Sequence, residues 1–185
     1  MNNTANVSVG KPRPAGGIYR APIGTALPTD ANTALDPAYK SAGYIAEGGV
    51  TNSYTITTEA KRAWGGDLVI VNQTEYTDTF AFGLIEVLNP DALEIPYGSG
   101  NVSGTLDTGI TIRANGADKG EYVYVIDMIM RGGVLKRVVI PDAAISELGD
   151  IVYQDNEAVS YPVTLMAQAY AGYDGDTHRE YIYKP

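Results

Sequence analysis

The sequence predicts a mainly β protein, a β-sandwich or barrel with one short flanking α-helix, an extended arm and an extended loop. Three observations point there. Runs rich in β-branched and aromatic residues recur at short intervals between Gly, Pro, Asn and Asp clusters. Only one segment carries helix-boundary chemistry. The stretch "EYVYVIDMIMRGGVLKRVVIPD" at 121–142 places two such runs on either side of Gly132 and Gly133, which is a hairpin signal. At 185 residues the length suits one domain with a substantial core.

Residues 1–40 hold Pro12, Pro14, Pro22, Pro28 and Pro37 with several glycines, so no long regular element fits there. Ile18, Tyr19, Ile23, Leu27, Leu35 and Tyr39 give this arm apolar anchors that disordered tails usually lack. A β domain is expected over 41–185. Its strand candidates are 39–46, 53–59, 67–76 and 78–85, then "ITIRA" at 110–114, the 121–142 hairpin, 150–154, 158–170 and "HREYIY" at 178–183. Phe80, Phe82 and Leu84 alternate with Thr79, Ala81 and Gly83, the period-2 pattern of a strand with one core face. Pro162 argues for an edge or a bulge. The helix is expected at about 86–97, because Asn89, Pro90 and Asp91 supply an N-cap, a first-turn proline and a first-turn acid. Trp64, the single tryptophan, precedes Gly65 and Gly66 in a polar connection within a loop at about 47–66. An exposed aromatic tip of that kind suits docking, and a ring folded back on its own core fits equally well.

The hairpin register has two readings. A two-residue Gly132-Gly133 loop sets Met128 opposite Arg137; a three-residue connection sets Asp127 opposite Arg137 and Ile126 opposite Val138, and the favourable charge pair prefers the second. Tyr122, Tyr124, Ile126, Met128 and Met130 form one apolar face, yet Val123, Val125 and Ile129 lie on the other. Both faces therefore ask to be covered.

Little in the chain suggests catalysis or cofactor chemistry. There is no cysteine, which excludes disulfides and thiolate chemistry. His178 is the one histidine, so a Ser-His-Asp triad would rest on a residue near the tail, and zinc would lack ligands. "DGD" at 174–176 lacks the later carboxylates of a calcium loop, and "GSGNVSG" has neither the lysine nor the strand-to-helix setting of a phosphate loop. The expectation is a non-enzyme without cofactor or metal. With 22 acidic against 13 basic residues, the net charge is −9, which disfavours phosphate-seeking nucleic-acid binding. No apolar run approaches a membrane span. The 14 tyrosines suit protein contacts, and they equally suit sheets as such.

The ordered series "GGIYRAPIGTALPTDANTALD", "GYIAEGGVTNS", "KRAWGGD", "FAFGLIEVLNPDAL", "YGSGNVSG" and "YVYVIDMIMRGGVLKRVVIPD" resembles the major tail protein, or tail tube protein, of bacteriophages with long non-contractile tails, from about residue 16 to 183. The resemblance implies a tail-tube-like sandwich with a flanking helix. It implies a homo-oligomer of hexameric rings, stacked around a tape-measure protein into a tube that DNA later traverses without sequence-specific contact, with tail terminator and distal tail proteins as further partners. The place implied is the virion tail, after assembly in the host cytoplasm. Long hairpins from six copies would join edge to edge, the mixed face of the 121–142 hairpin meeting neighbouring copies. The arm and the loop around Trp64 would bridge subunits and rings, with Pro12, Tyr19, Pro22, Trp64, Tyr122 and Tyr124 as contact candidates. Six copies at −9 carry about −54 per ring, and any part of it lining the lumen would let DNA slide. Glu75, Glu121 and Asp127 are the lumen candidates; each also reads as a solubility charge, and Asp127 as a partner for Arg137. A related tube, distal-tail or head-decoration protein of a phage or secretion system is the alternative, followed by a carbohydrate-binding β domain.

Overall fold

The computed structural model describes residues 2–14 and 16–185, so residues 1 and 15 of the expected arm lie outside the described residues. Eleven strands and one α-helix follow in chain order: β1 Gly10–Pro12, β2 Ile18–Pro22, β3 Lys40–Ser41, β4 Ile45–Arg62, β5 Leu68–Leu84, α1 Pro90–Tyr97, β6 Val102–Ser103, β7 Thr111–Ile112, β8 Glu121–Met130, β9 Leu135–Leu148, β10 Tyr161–Ala167 and β11 Arg179–Tyr183. All but β6 and β7 belong to one antiparallel sheet, ordered β3-β2-β8-β9-β10-β5-β4, with β1 beside β8 and β11 beside β9. The mainly β expectation holds.

The central hairpin takes the charge-paired register: Asp127 faces Arg137 and Ile126 faces Val138. Residues Arg131–Gly133 form the three-residue connection. Gly132 and Gly133 sit at φ of 76° and 77°, a backbone region that side chains disfavour.

Strand alternation gives this hairpin two buried faces. One carries Tyr124, Ile126, Val138 and Ile140 into a core with Phe80, Phe82, Leu84, Val163 and Leu165, capped by Leu93 and Ile95 of α1. The other carries Val123, Val125 and Val139 against Tyr39 and Tyr173, with Leu27, Leu35, Tyr170 and Tyr181 packed around them. The second cover thus comes from the arm and the carboxy-terminal turn of the same chain. The expectation that neighbouring copies would cover this face is corrected by those two segments, both far from the hairpin in sequence.

A buried ion pair fastens the arm in place. Arg137 donates from Nε and Nη2 to both Asp127 oxygens, at 2.7 and 2.8 Å. Its Nη1 donates to the carbonyls of Asp30 and Thr33 at 3.1 and 2.9 Å. Arg13 approaches Asp127 at 3.4 Å and donates to the Ala31 carbonyl. Asp30 holds the turn by accepting from the Asn32 and Thr33 amides and the Thr33 hydroxyl; those bonds lower its pKa to about 2.

Several boundaries differ from the sequence reading. The helix begins at Pro90, with the Asn89 side chain accepting from the Asp91 amide, because the residues before it form a turn closed by Asn89 N–H to the Glu86 carbonyl. Segments 67–76 and 78–85 are a single strand, β5. Residues 150–154 are irregular. Pro162 stands in β10, which is flanked by β9 and β5, and the register shift in that strand falls between Thr164 and Leu165. The proline is tolerated because β9 pairing begins only at Val163, beside the strand start that prolines favour.

Candidate functional site

The longest strands of the sheet run past their own core. Residues 51–76 are exposed without a break, so the far part of β4 and β5 projects as a two-stranded ribbon. At ~3.3 Å per residue, the run from Thr51 to Arg62 reaches about 40 Å. Among the described residues no other strand lies beside it. β10 pairs with β5 only from Asp78 to Leu84, and β4 ends the sheet order. Both edges of the ribbon therefore present unpaired backbone N–H and C=O groups, which readily template pairing with another strand.

The cross-strand register assigns the ribbon two unlike faces. Pairs Ile56↔Tyr76, Thr58↔Gln73, Ala60↔Val71 and Arg62↔Leu68 share one face, which continues the buried Phe80 row past Tyr54. Pairs Thr55↔Thr77, Thr57↔Glu75, Glu59↔Asn72 and Lys61↔Ile70 share the other. The first row is largely apolar, with Ile56 58% and Val71 55% exposed. The second is threonine-rich and charged, interrupted by Ile70. Register shifts between Thr57 and Thr58 and between Lys61 and Arg62 leave Thr74 and Val69 without opposite numbers, adding bend and twist. At the tip, Gly65 and Gly66 adopt φ of 115° and 98°, Arg62 Nη1 donates to the Gly66 carbonyl at 2.8 Å, and Trp64 stands free at 106% exposure.

A polar clamp grips the root. Asp78 is 0% exposed and takes hydrogen bonds from Asn52 Nδ2 and Thr177 Oγ1, each at 2.7 Å, while His178 Nδ1 lies 2.7 Å from its Oδ2. Burial pushes the Asp78 pKa up, but the bonds from His178, Thr177 and Asn52 outweigh it and leave it below the ordinary value. The His178 ring meets Phe80 edge-on at 5.1 Å, joining the carboxy-terminal turn to the ribbon.

His178, Asp78 and Tyr54 have the residue types of a nucleophile-base-acid relay but not its geometry. Tyr54 Oη is 3.2 Å from Nδ1 and 3.1 Å from Nε2, so it sits between the nitrogens rather than in line with one. Burial, Tyr76 and Asp78 raise the Tyr54 pKa, the wrong direction for an activated hydroxyl. The cluster braces the ribbon. Among the described residues, no group of three or more acidic or histidine side chains is placed to hold a metal ion.

The sequence-derived candidates scatter. Glu75 lies on the polar face of the ribbon, and Trp64 at its tip. Glu121 is exposed at the start of β8 and accepts from Gln168 Nε2 at 2.8 Å. Asp127, at 2% exposure, is consumed by Arg137 and offers no charge to a lumen, because its oxygens face into the fold. Tyr124 is buried in the first core and cannot reach a neighbour. Tyr122 is half-buried, with Arg20 stacked 4.4 Å from its ring centroid and Ser99 Oγ 2.7 Å from its hydroxyl. Tyr19 is half-buried in β2, while Pro12 and Pro22 are exposed at strand ends. Sequence reading missed Ile56, Val71 and Tyr76. Their signal was present as alternation across "SYTITTEAKR" and "LVIVNQTEY", but the register shifts break its period.

The family described as phage tail tube protein matches residues 2–182. No curated protein matches the chain. The solved structures include a similar chain in the cryo-EM structure of the anti-feeding prophage cap, the AFP tube-terminating cap. It is 13% identical, at a TM-score of 0.45, with 99% of this chain and 100% of that one covered.

Proposed function

Because this chain belongs to the phage tail tube protein family, and is thereby a structural protein of the virion tail, we propose that it assembles as hexameric rings stacked into a tube through which DNA leaves the virion. The observation that carries this reading is the ribbon of β4 and β5, free on both edges. A segment with two open edges and no core of its own is completed by a copy on each side, and a ring of such ribbons leaves no edge exposed. In that ring the threonine-rich face with Glu59 and Glu75 lines the lumen. The apolar row of Tyr54, Ile56, Val71 and Tyr76 turns outward against the subunit bodies. On that face Lys61 is outnumbered by Glu59 and Glu75, so passing DNA meets mostly hydroxyls and carboxylates and slides. A tape-measure protein fills the lumen beforehand, and terminator and distal tail proteins close the ends. The role is mechanical and non-enzymatic, and the subunits assemble in the host cytoplasm.

Negative-stain electron microscopy of the concentrated protein tests this. Hollow tubes with a regular repeat are expected. Replacing Ile56 and Val71 by Asp is expected to abolish them while leaving the melting temperature of the free subunit within ~2 °C, since exposed positions contribute little to stability. Wild-type protein that stays a globular monomer at every concentration, or variant tubes indistinguishable from wild type, would overturn the proposal.

A further inference from the structure

At the root of the ribbon β4 departs from regular pairing. Ile45 pairs with Leu84 and Val50 with Phe82, so Ala46, Glu47, Gly48 and Gly49 bow outward opposite Gly83. The excursion opens a cavity of about 580 Å³ between β4 and the β1-β8 edge. Its walls are Ile18, Ile45, Val50, Ile126 and Met128, the open end of the first core. Gly48 and Gly49, both exposed, line it with no atom within 4 Å of where a Cβ would be. The volume falls within the ~300–1,000 Å³ range of sites that enclose a bound group.

The same chain carries a group of matching chemistry. Trp64 is fully exposed at the end of the ribbon, bracketed by Arg62 and Asp67, while the cavity mouth is bracketed by exposed Glu47 and Lys11. Tip and mouth thus each carry one acid and one base beside an apolar projection and an apolar socket, so a seated tip can set Arg62 against Glu47 and Asp67 against Lys11. Within one subunit they lie at opposite ends of the ribbon, about 40 Å apart, so the tip cannot fill its own socket. We infer that Trp64 of one copy seats in the cavity between β1 and β4 of the next, making a head-to-tail contact between copies displaced by about one ribbon length. A projection and a socket on opposite ends make a heterologous interface, which propagates as a filament instead of closing on itself. Buried tryptophans are the commonest strong anchors of such interfaces. This rests on the assembly reading: edge pairing closes each ring, and the Trp64 contact sets how one ring seats on the next.

The absence of native cysteine allows a clean test. Ala63→Cys beside the tip, combined with Glu47→Cys at the mouth, is assembled and oxidised, then run on a denaturing gel without reductant. A ladder of covalent multimers is expected from the double variant and no more than dimers from either single one, because a disulfide needs Cα atoms within ~7 Å. Trp64→Ala should raise the critical concentration for tubes at least ~10-fold. Tubes that form without a ladder, or a Trp64→Ala critical concentration equal to wild type, would overturn the socket contact and leave the tube reading standing. Absence of tubes from the wild-type chain would overturn both.

Discussion

Replacing Asp127 by Ala separates a structural role for that residue from a lumenal one. Arg137 is 1% exposed and spends two of its donors on the Asp127 carboxylate at 2.7 and 2.8 Å. Removing the acid leaves a guanidinium enclosed in the fold with only two carbonyls for company. Breaking a buried pair in this way costs about 3–5 kcal/mol. At about 2.1 cal/mol/K per residue, the melting entropy of a 185-residue chain is ~0.4 kcal/mol/K, and the melting temperature falls by about 8–13 °C. Circular dichroism of the unassembled subunit at pH 7 reads this directly. The double variant Asp127→Ala, Arg137→Met should recover most of the loss, since it leaves only the partly exposed Arg13 without the acid. A fall of less than ~2 °C in the single variant would refute the reasoning, for it would mean that Arg137 finds water or another partner at no cost.

Two further outcomes concern pH. Burial first, and Glu121 second, raise the Asp142 pKa. The folded state therefore favours the protonated acid, and stability is lost as pH rises through the folded pKa. Asp142→Asn should raise the melting temperature at pH 7 and lose that advantage in acid; equal gains at both pH values would contradict it. Asp78 is shifted the other way, its hydrogen bonds outweighing burial, so its contribution is present at neutral pH and disappears as pH falls through and below its ordinary value of 3.8. Asp78→Asn should flatten the acid limb of the stability curve and speed amide exchange at the ribbon root, and an unchanged acid limb would rule out the clamp.

What could be read in advance depended on whether the cause was local. Asn89-Pro90-Asp91 announced the helix because capping is satisfied within a few residues. The Asp127 and Arg137 charges announced the hairpin register because cross-strand partners near a turn are close in sequence. The cover over Val123, Val125 and Val139 was illegible because Tyr39 and Tyr173 come from opposite ends of the chain, and no periodicity links them. The ribbon was half-legible. Its aromatic and branched residues marked strands, but a segment without a core has no burial to enforce strict alternation, and β5 reads as two strands, 67–76 and 78–85. Asp127 reads both as a lumenal charge and as a partner for Arg137, because pattern alone cannot tell a mixed face that meets another subunit from one that meets the chain's own arm.

The two register shifts along the ribbon bear on what happens before any tube exists. A free ribbon can meet other polypeptides, each offering strands of its own. A long flat edge would zip onto many of them. The displacements at Thr74 and Val69 bend the backbone so that its donors and acceptors fall out of step with an ordinary straight strand after a few residues. A neighbour curved in the same way can stay in phase for the full length. In the proposed ring, the irregularity that obscured the sequence pattern thus favours a second copy over an unrelated straight strand.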